Sequence, residues 1–190
     1  LLTLEKNWKG ICEINGVPYD TFGTRKEINV LPNHLQSGEV VFALSSGMMS
    51  QTETSNALDF GTNTWLAVLT SERFLFLDCA LLSSSVDVQS VRHDRVQAVS
   101  SSQGWVFGKI MIDLGSRMIV IDNCLKASVG AFSDLGNKWL SAKATKAAAA
   151  TQAAVETPLD KLEKLGKLLA GGILTEEEFK QAKANILASL

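Results

Sequence analysis

The segment TWLAVLTSERFLFLDC, residues 64–79, contains two apolar runs separated by a short polar turn. Thr64–Thr70 and Arg73–Cys79 are rich in branched and aromatic side chains, which favour β-strands, and Ser71-Glu72 between them suits a tight turn. Five further runs of this kind flank the segment, each bounded by small or polar residues. They are Glu39–Ser46, Ser85–Val91, Asp94–Ser101, Trp105–Asp113 and Arg117–Asp122. The sequence therefore predicts seven antiparallel strands joined by hairpin turns.

Alternation within the sixth run predicts which side chains enter the core. One side of Trp105–Leu114 carries Val106, Ile110, Ile112 and Leu114, whereas the other side mixes Trp105, Phe107 and Met111 with Lys109 and Asp113. We expect the first side to face the core and the second side to be partly exposed to solvent.

A helical pattern follows the strands. Across Lys126–Lys143, apolar residues recur at spacings of three and four, as in an amphipathic helix. They are Val129, Phe132, Leu135, Trp139 and Leu140. Gly130 and Gly136 each lower the helix propensity by about 1 kcal/mol relative to Ala. Packing of the stripe on an apolar surface must therefore stabilise this helix.

The N-terminal residues are less regular. Asn15-Gly16 lies between apolar residues and favours a tight hairpin turn, whose central positions need positive φ. Residues 1–24 are therefore predicted to be an irregular segment or a β-ribbon. From Thr24 onward, Ile28 and Leu31 lie on one face of a short helix that Pro32 is expected to end.

The C-terminal residues predict a helical hairpin. The segment TPLD, residues 157–160, offers a capping hydroxyl, a first-turn proline and an acid, which together start a helix. Gly171-Gly172 predicts its end, and Thr175 with Glu178 predicts a capping box for a second helix. The Ala-rich residues 141–157 before it suit a helical extension or a linker.

This hairpin presents an apolar stripe that we predict binds a partner. Its members are Leu162, Leu165, Leu169, Phe179, Ile186 and Leu187. A hairpin of about 33 residues buries too little surface to fold alone. The partner surface is therefore expected in the rest of the chain, in another copy, or in a different protein that takes the hairpin as a helix in a groove.

The charge and hydropathy of the chain exclude two classes of protein. The 18 basic and 20 acidic side chains among 190 residues give a net charge of −2, so no polycationic region predicts nucleic-acid binding. The longest uncharged apolar stretches, Trp65–Thr70 and Phe74–Leu77, are far shorter than the roughly 18 to 20 residues of a membrane-spanning helix. The start, Leu1–Lys6, predicts no secretory signal.

Cysteine and histidine predict neither a metal site nor catalysis. Cys12, Cys79 and Cys124 are widely separated, which predicts reduced, packed thiols in a cytoplasmic protein. His34 and His93 have no metal-ligand spacing, and Arg92–Arg95 around the second is typical of a solvated turn. We expect no cofactor and no enzymatic activity, with a Cys–His nucleophile pair as the remaining catalytic hypothesis.

The tail resembles the bacterial SHOCT (short C-terminal) domain. The residues that match are PLDKL at 158–162 and GGILTEEEF at 171–179. The resemblance spans roughly Thr157–Ser189.

The body resembles the bacterial PH-like domain called YokE-like, over about Arg25–Leu140. The matching segments are Glu27–Pro32, Gly38-Glu39, Trp65–Asp78 and Gly104–Ile110. The resemblance implies an α+β fold: a PH-like barrel of about seven antiparallel strands in two orthogonal sheets, capped by a C-terminal helix, with the α-helical hairpin attached. It also implies a binding or scaffolding role without catalysis, and homo-oligomerisation because some bacterial PH-like domains form rings.

The PH-like resemblance also makes the loop between the first two strands a candidate head-group site. Gly47–Asn63 contains no Lys or Arg and has the acids Glu53 and Asp59. Each basic residue near an anionic surface contributes about 1 kcal/mol of attraction, so lipid binding by this loop is not expected. Met48 and Met49 there are read as strand-end core residues, or as a soft contact surface.

Four segments follow from these patterns. They are an N-terminal segment at 1–24, a PH-like domain at 25–140, an Ala-rich linker or helix extension at 141–157, and a SHOCT hairpin at 158–190. We predict a cytoplasmic, non-catalytic protein-interaction and oligomerisation module. The alternatives are a peripheral membrane or lipid-binding adaptor, and a Cys-dependent enzyme. The expected partners are proteins, either copies of this chain or others.

Overall fold

The structure is a computed structural model that describes residues 1–50, 64–80, 84–154 and 158–187. The chain divides into two units, Leu1–Ser141 and Ala142–Leu190. The strands are β1 Val41–Ser50, β2 Thr64–Thr70, β3 Arg73–Cys79, β4 Val86–Arg92, β5 Ala98–Gln103, β6 Phe107–Asp113 and β7 Met118–Leu125. The helices are α1 Trp8–Ile14, α2 Arg25–His34, α3 Lys126–Ala154, α4 Pro158–Ala170 and α5 Glu176–Leu187, with a short 3-10 helix at His93–Arg95.

The predicted seven antiparallel strands and the α+β class are confirmed. The strands form one hydrogen-bonded sheet in the order β4-β3-β2-β1-β7-β6-β5, where we predicted two sheets. The reason is the length of β1, which pairs with β2 through Met48 and with β7 from Met48 to Ser50. Gly47 permits this crossing, because a Cβ there would lie 2.6 Å from the backbone oxygen of Asp122.

Strands β2 and β3 are buried on both faces. One face contributes Trp65, Phe74 and Phe76 to a core that also contains Val129 and Phe132 of α3. The opposite face contributes Leu66, Val68, Leu75 and Leu77 to a second core, with Trp8, Ile11, Cys12 and Leu31 of α1 and α2. Continuous apolar runs, rather than alternating ones, are what strands covered on both faces require.

Residues 1–24, predicted to be an irregular segment or a β-ribbon, contain the helix α1. Trp8, Ile11 and Cys12 are spaced for one helical face and are buried, so this face of α1 forms part of the second core. Asn15 ends the helix, and its side-chain amide donates to the backbone oxygens of Ile11 and Phe42, each at 3.0 Å. The positive φ of Gly16 therefore serves a helix end and not a hairpin turn.

Helices α2 and α3 begin near where the sequence predicts and extend further than expected. Helix α2 continues past Pro32 to His34. The helix predicted over Lys126–Lys143 continues to Ala154, so the described part of the Ala-rich segment is a helical extension. Gly136 lets α3 approach the sheet closely, since a Cβ there would lie 3.3 Å from both the Phe74 ring and Val99.

Candidate interaction surfaces

The end of α4 and the start of α5 follow the predicted capping pattern, whereas the cap predicted at Thr157 lies outside the described residues. The Glu178 carboxylate accepts hydrogen bonds from the backbone N–H of Thr175 at 2.9 Å and from its hydroxyl at 2.8 Å, and the Glu178 N–H donates to that hydroxyl at 3.3 Å. The bonds from Thr175 lower the pKa of Glu178. At the end of α4, Gly172 adopts a φ of +68°, and Ile173 N–H donates to the Leu168 oxygen at 3.0 Å. The capping box and the glycine stop position the two helices as a hairpin.

The predicted partner-binding stripe lies on this hairpin, whose helices pack against each other. Leu162, Leu165, Leu169, Phe179 and Ile186 are half-buried, and Leu187 is 48% exposed. Among the side chains described between residues 159 and 187, none is fully buried. Leu159 and Ile173 beside the stripe are exposed to 76% and 74%. The hairpin thus leaves part of every large apolar side chain in contact with water.

The charges around the stripe are balanced. Helix α4 carries three lysines and two acids, whereas α5 carries three acids and two lysines. Glu163 and Lys167 form an ion pair of 2.7 Å one helical turn apart, which raises the pKa of Lys167. With the acid N-terminal to the base, this pair has the orientation that stabilises helices. The two helices therefore carry opposite net charges, +1 and −1.

A second exposed apolar surface lies at the turn between β5 and β6. Trp105 is 94% exposed, and Val106 and Phe107 beside it are also exposed. The turn is closed by a 2.8 Å hydrogen bond from the Gly104 N–H to the Phe107 oxygen. The predicted core position of Val106 is wrong, because β6 starts at Phe107 and Val106 belongs to the turn. Ile110 and Ile112 are buried as predicted.

Comparison with known protein families assigns both parts of the chain. Residues 35–138 match the bacterial PH domain family. The chain belongs to that family. Residues 160–187 match the short C-terminal domain, SHOCT, so the PH domain is followed by a SHOCT domain and both resemblances are confirmed.

Solved structures with similar folds are more distant. The Vps36 N-terminal PH domain is 16% identical, with a TM-score of 0.43 over 58% of this chain and 86% of that one. The C-terminal domain of an unknown protein from Leishmania infantum is 17% identical, with a TM-score of 0.40 over 64% and 99%. A pleckstrin homology domain from Shewanella amazonensis SB2B is 15% identical, with a TM-score of 0.32 over 52% and 80%. No curated protein matches the sequence.

Within the PH domain, the Thr70-x-x-Arg73 turn has a structural role. Thr70 Oγ1 accepts the N–H groups of Glu72 at 3.2 Å and Arg73 at 3.0 Å, which closes the turn between β2 and β3. The same hydroxyl donates to Glu39 at 2.6 Å. Arg73 binds both oxygens of Glu39, at 3.0 and 3.1 Å, and donates to the His34 oxygen at 2.7 Å. These residues anchor the turn to the chain before β1.

The histidine predicted in a solvated turn is buried in the PH domain. His93 Nε2 lies 2.9 Å from the Thr70 oxygen, and its ring packs edge-on against Phe74. The prediction was wrong because Phe74 and Thr70 come from a neighbouring hairpin, which local sequence does not reveal. Across the described ranges, the His, Cys, Asp and Glu side chains form no cluster suited to a metal ion.

The three thiols lie in the first unit of the chain. Cys12 and Cys124 are buried, and Cys79 is half-buried. Burial raises the pKa of Cys12 to about 11 and that of Cys124 to about 12. Burial and the nearby Glu27 carboxylate raise the pKa of Cys79 to about 12. A raised thiol pKa disfavours the nucleophilic thiolate at neutral pH.

Most of the loop between β1 and β2, considered above as a candidate head-group site, lies outside the described residues. Strand β1 extends to Ser50, so Met48 and Met49 belong to a strand, where they are half-buried. Residues 51–63, with Glu53 and Asp59, lie outside the described residues. None of the helices in the described part of the chain has the length and hydropathy to span a bilayer.

Proposed function

We propose that the chain is a non-catalytic oligomerisation module in which the SHOCT hairpin of one copy binds the hairpin of another. The interface is the apolar stripe of Leu162, Leu165, Leu169, Phe179, Ile186 and Leu187. The observation that carries the proposal is the absence of any fully buried side chain among the described hairpin residues. A second hairpin would remove these leucines from water and supply the core that one hairpin lacks.

The charge pattern favours another copy as the partner. In an antiparallel pair of hairpins, α4 of each copy, with a net charge of +1, faces α5 of the other, with −1. Such pairing is self-complementary, as a two-fold symmetric interface requires. Four helices around a leucine core are also a common stable arrangement.

The raised pKa values of the three thiols support a role without cysteine catalysis. Each thiol is unpaired, and two are buried, which is typical of proteins kept in a reducing compartment. We therefore place the protein in the cytoplasm, with the PH domain as the body that the hairpin assembles.

Light scattering on the intact chain tests the proposal. We expect a mass that is a multiple of the 20.5 kDa chain, and we expect Leu165→Asp and Ile186→Asp each to return it to that of one chain, since a carboxylate in a leucine core costs several kcal/mol. Gln181→Asp is the matched control, because this exposed α5 position receives the same charge change as Ile186→Asp.

Deletion of residues 158–190 is a second test of assembly through the hairpin. The shortened chain should scatter as a single copy at every concentration. If the intact chain is itself a single copy throughout, or if the stripe variants and the deletion keep the assembled mass, the hairpin does not mediate assembly and the proposal fails.

A further inference from the structure

The exposed turn between β5 and β6 is shaped as an apolar projection. We call Trp105, Val106, Phe107 and Leu125 the apolar tip. Phe107 and Leu125 are directly paired across β6 and β7, so their side chains lie next to each other on one face. The following pair, Gly108 and Cys124, is buried. The core thus holds the base of the hairpin, while the tip presents its apolar side chains to solvent.

The indole of Trp105 distinguishes this surface from an ordinary exposed residue. Of the four tryptophans, Trp8 and Trp65 are buried, and Trp139 is half-buried with its N–H donating to the Ser71 oxygen at 3.2 Å. Trp105 is 94% exposed. An amphipathic ring on a hydrogen-bonded turn is suited to the boundary between water and hydrocarbon, where Trp is enriched in membrane proteins.

Two lysines and one acid lie beside the tip. Residues 102–109 and 122–130, which form the tip and its flanks, contain Lys109, Lys126 and Asp122. Lys109 pairs with Asp122 at 2.9 Å. Lys126 Nζ lies 3.5 Å from the backbone oxygen of Trp105. Because Asp122 offsets Lys109, Lys126 is the cation that accompanies the exposed apolar groups of the tip.

We propose that the apolar tip inserts into the interfacial region of an anionic lipid bilayer. Trp105, Val106 and Phe107 enter the boundary of the acyl chains, and Lys126 remains at the head groups, which attract it. This mode needs no basic residue in the loop between β1 and β2. The inference is independent of the proposed hairpin assembly.

Tryptophan fluorescence on the intact chain tests the inference. The probe is vesicles of phosphatidylcholine containing about one third phosphatidylglycerol, with acrylamide as quencher. Because Trp105 is the most exposed indole, we expect the vesicles to protect its fluorescence from acrylamide quenching and to shift the emission maximum to shorter wavelength. Trp105→Ala should abolish this change and weaken vesicle partitioning by roughly tenfold.

Matched variants separate the apolar and electrostatic contributions. Phe22→Ala removes another exposed aromatic residue, at 84% exposure and outside the residues of the tip, and should alter partitioning less than about twofold. Lys126→Gln should weaken binding about fivefold on the anionic vesicles and leave partitioning onto pure phosphatidylcholine unchanged. The hairpin variants Leu165→Asp and Ile186→Asp should bind vesicles as the unmodified chain does, whether or not their mass in solution changes.

Two results would overturn the inference. One is equal acrylamide quenching of Trp105 with and without vesicles, together with no protein in the vesicle pellet. The other combines two observations: the unmodified chain does not bind vesicles, and Trp105→Ala has a lower mass in solution than the unmodified chain. That result would make the tip a contact between proteins.

Discussion

Glu39 and Arg73 are 34 positions apart in sequence and form a buried ion pair. The Glu39 side chain is fully buried, and that of Arg73 is 13% exposed. Burial raises the pKa of Glu39, but its hydrogen bonds from Arg73, the Gln36 N–H and Thr70, together with the Arg73 charge, outweigh that effect and lower it. Both residues are in segments that carry the PH-like resemblance.

Removal of Arg73 should destabilise the PH domain. Arg73→Met leaves the Glu39 carboxylate buried without its counter-charge, and we expect the free energy of unfolding to fall by about 3 kcal/mol in urea denaturation. Arg92→Met is the control, because Arg92 pairs with Asp94 at the surface and should cost less than about 1 kcal/mol. Equal losses for the two variants would contradict a special role for the buried pair.

The lowered pKa of Glu39 also predicts how stability depends on pH. The unfolded carboxyl binds a proton at higher pH than the folded one, so the pair stabilises the fold above the unfolded pKa and stops doing so as pH falls through the folded pKa. The stability difference between the unmodified chain and Glu39→Gln should therefore shrink on acidification below about pH 4.5. Urea unfolding at a series of pH values measures it, and a constant difference would refute the assignment.

At the scale of elements, α3 covers an edge of the sheet. Strand β5 is the last strand on one side, and exposed edge strands are prone to pair with other chains. The Asn137 side chain of α3 meets both backbone groups of Val99 in β5. Its oxygen accepts the Val99 N–H at 2.9 Å, and its amide donates to the Val99 oxygen at 2.5 Å. One side chain thus satisfies the two backbone groups of Val99 that a neighbouring strand would otherwise bind.

Removal of the Asn137 side chain should expose the edge of β5 to solvent. Asn137→Ala leaves two backbone groups without their partner, and we expect a loss of about 2 kcal/mol in stability and faster hydrogen exchange at the Val99 amide. Asp134→Ala, at an exposed position of the same helix, should leave both unchanged. If hydrogen exchange at the Val99 amide is unaltered in Asn137→Ala, the Asn137 side chain does not protect β5.

The elements also show how far sequence reasoning reached. The bounds of β2 and β3 were predicted without error, because their polar turn and apolar runs are local signals. The second core was not predicted, since the cover from α1 and α2 depends on contacts between distant segments. The tip was predicted only in part. The alternation places Trp105 and Phe107 on the partly exposed side, but it places Val106 in the core because it does not show where β6 begins.

At the scale of the whole molecule, the order of the hairpin should depend on concentration. If another copy completes its core, mass action stabilises the hairpin as the protein concentration rises. We expect amide exchange at Leu165 and Ile186 to slow between micromolar and millimolar protein, while exchange in β2 stays constant. Exchange that is equally fast in the hairpin at every concentration would contradict assembly through this stripe.

The sequence by itself determined the strand runs, the capping box of α5 and the two apolar stripes, because each depends on residues a few positions apart. Only the tertiary structure decided which runs are covered on both faces, that Arg73 meets Glu39, that Asn137 binds the edge of β5, and that His93 is buried. Each of these outcomes depends on segments that are distant in sequence but adjacent in space. Local periodicity carries no information about such neighbours.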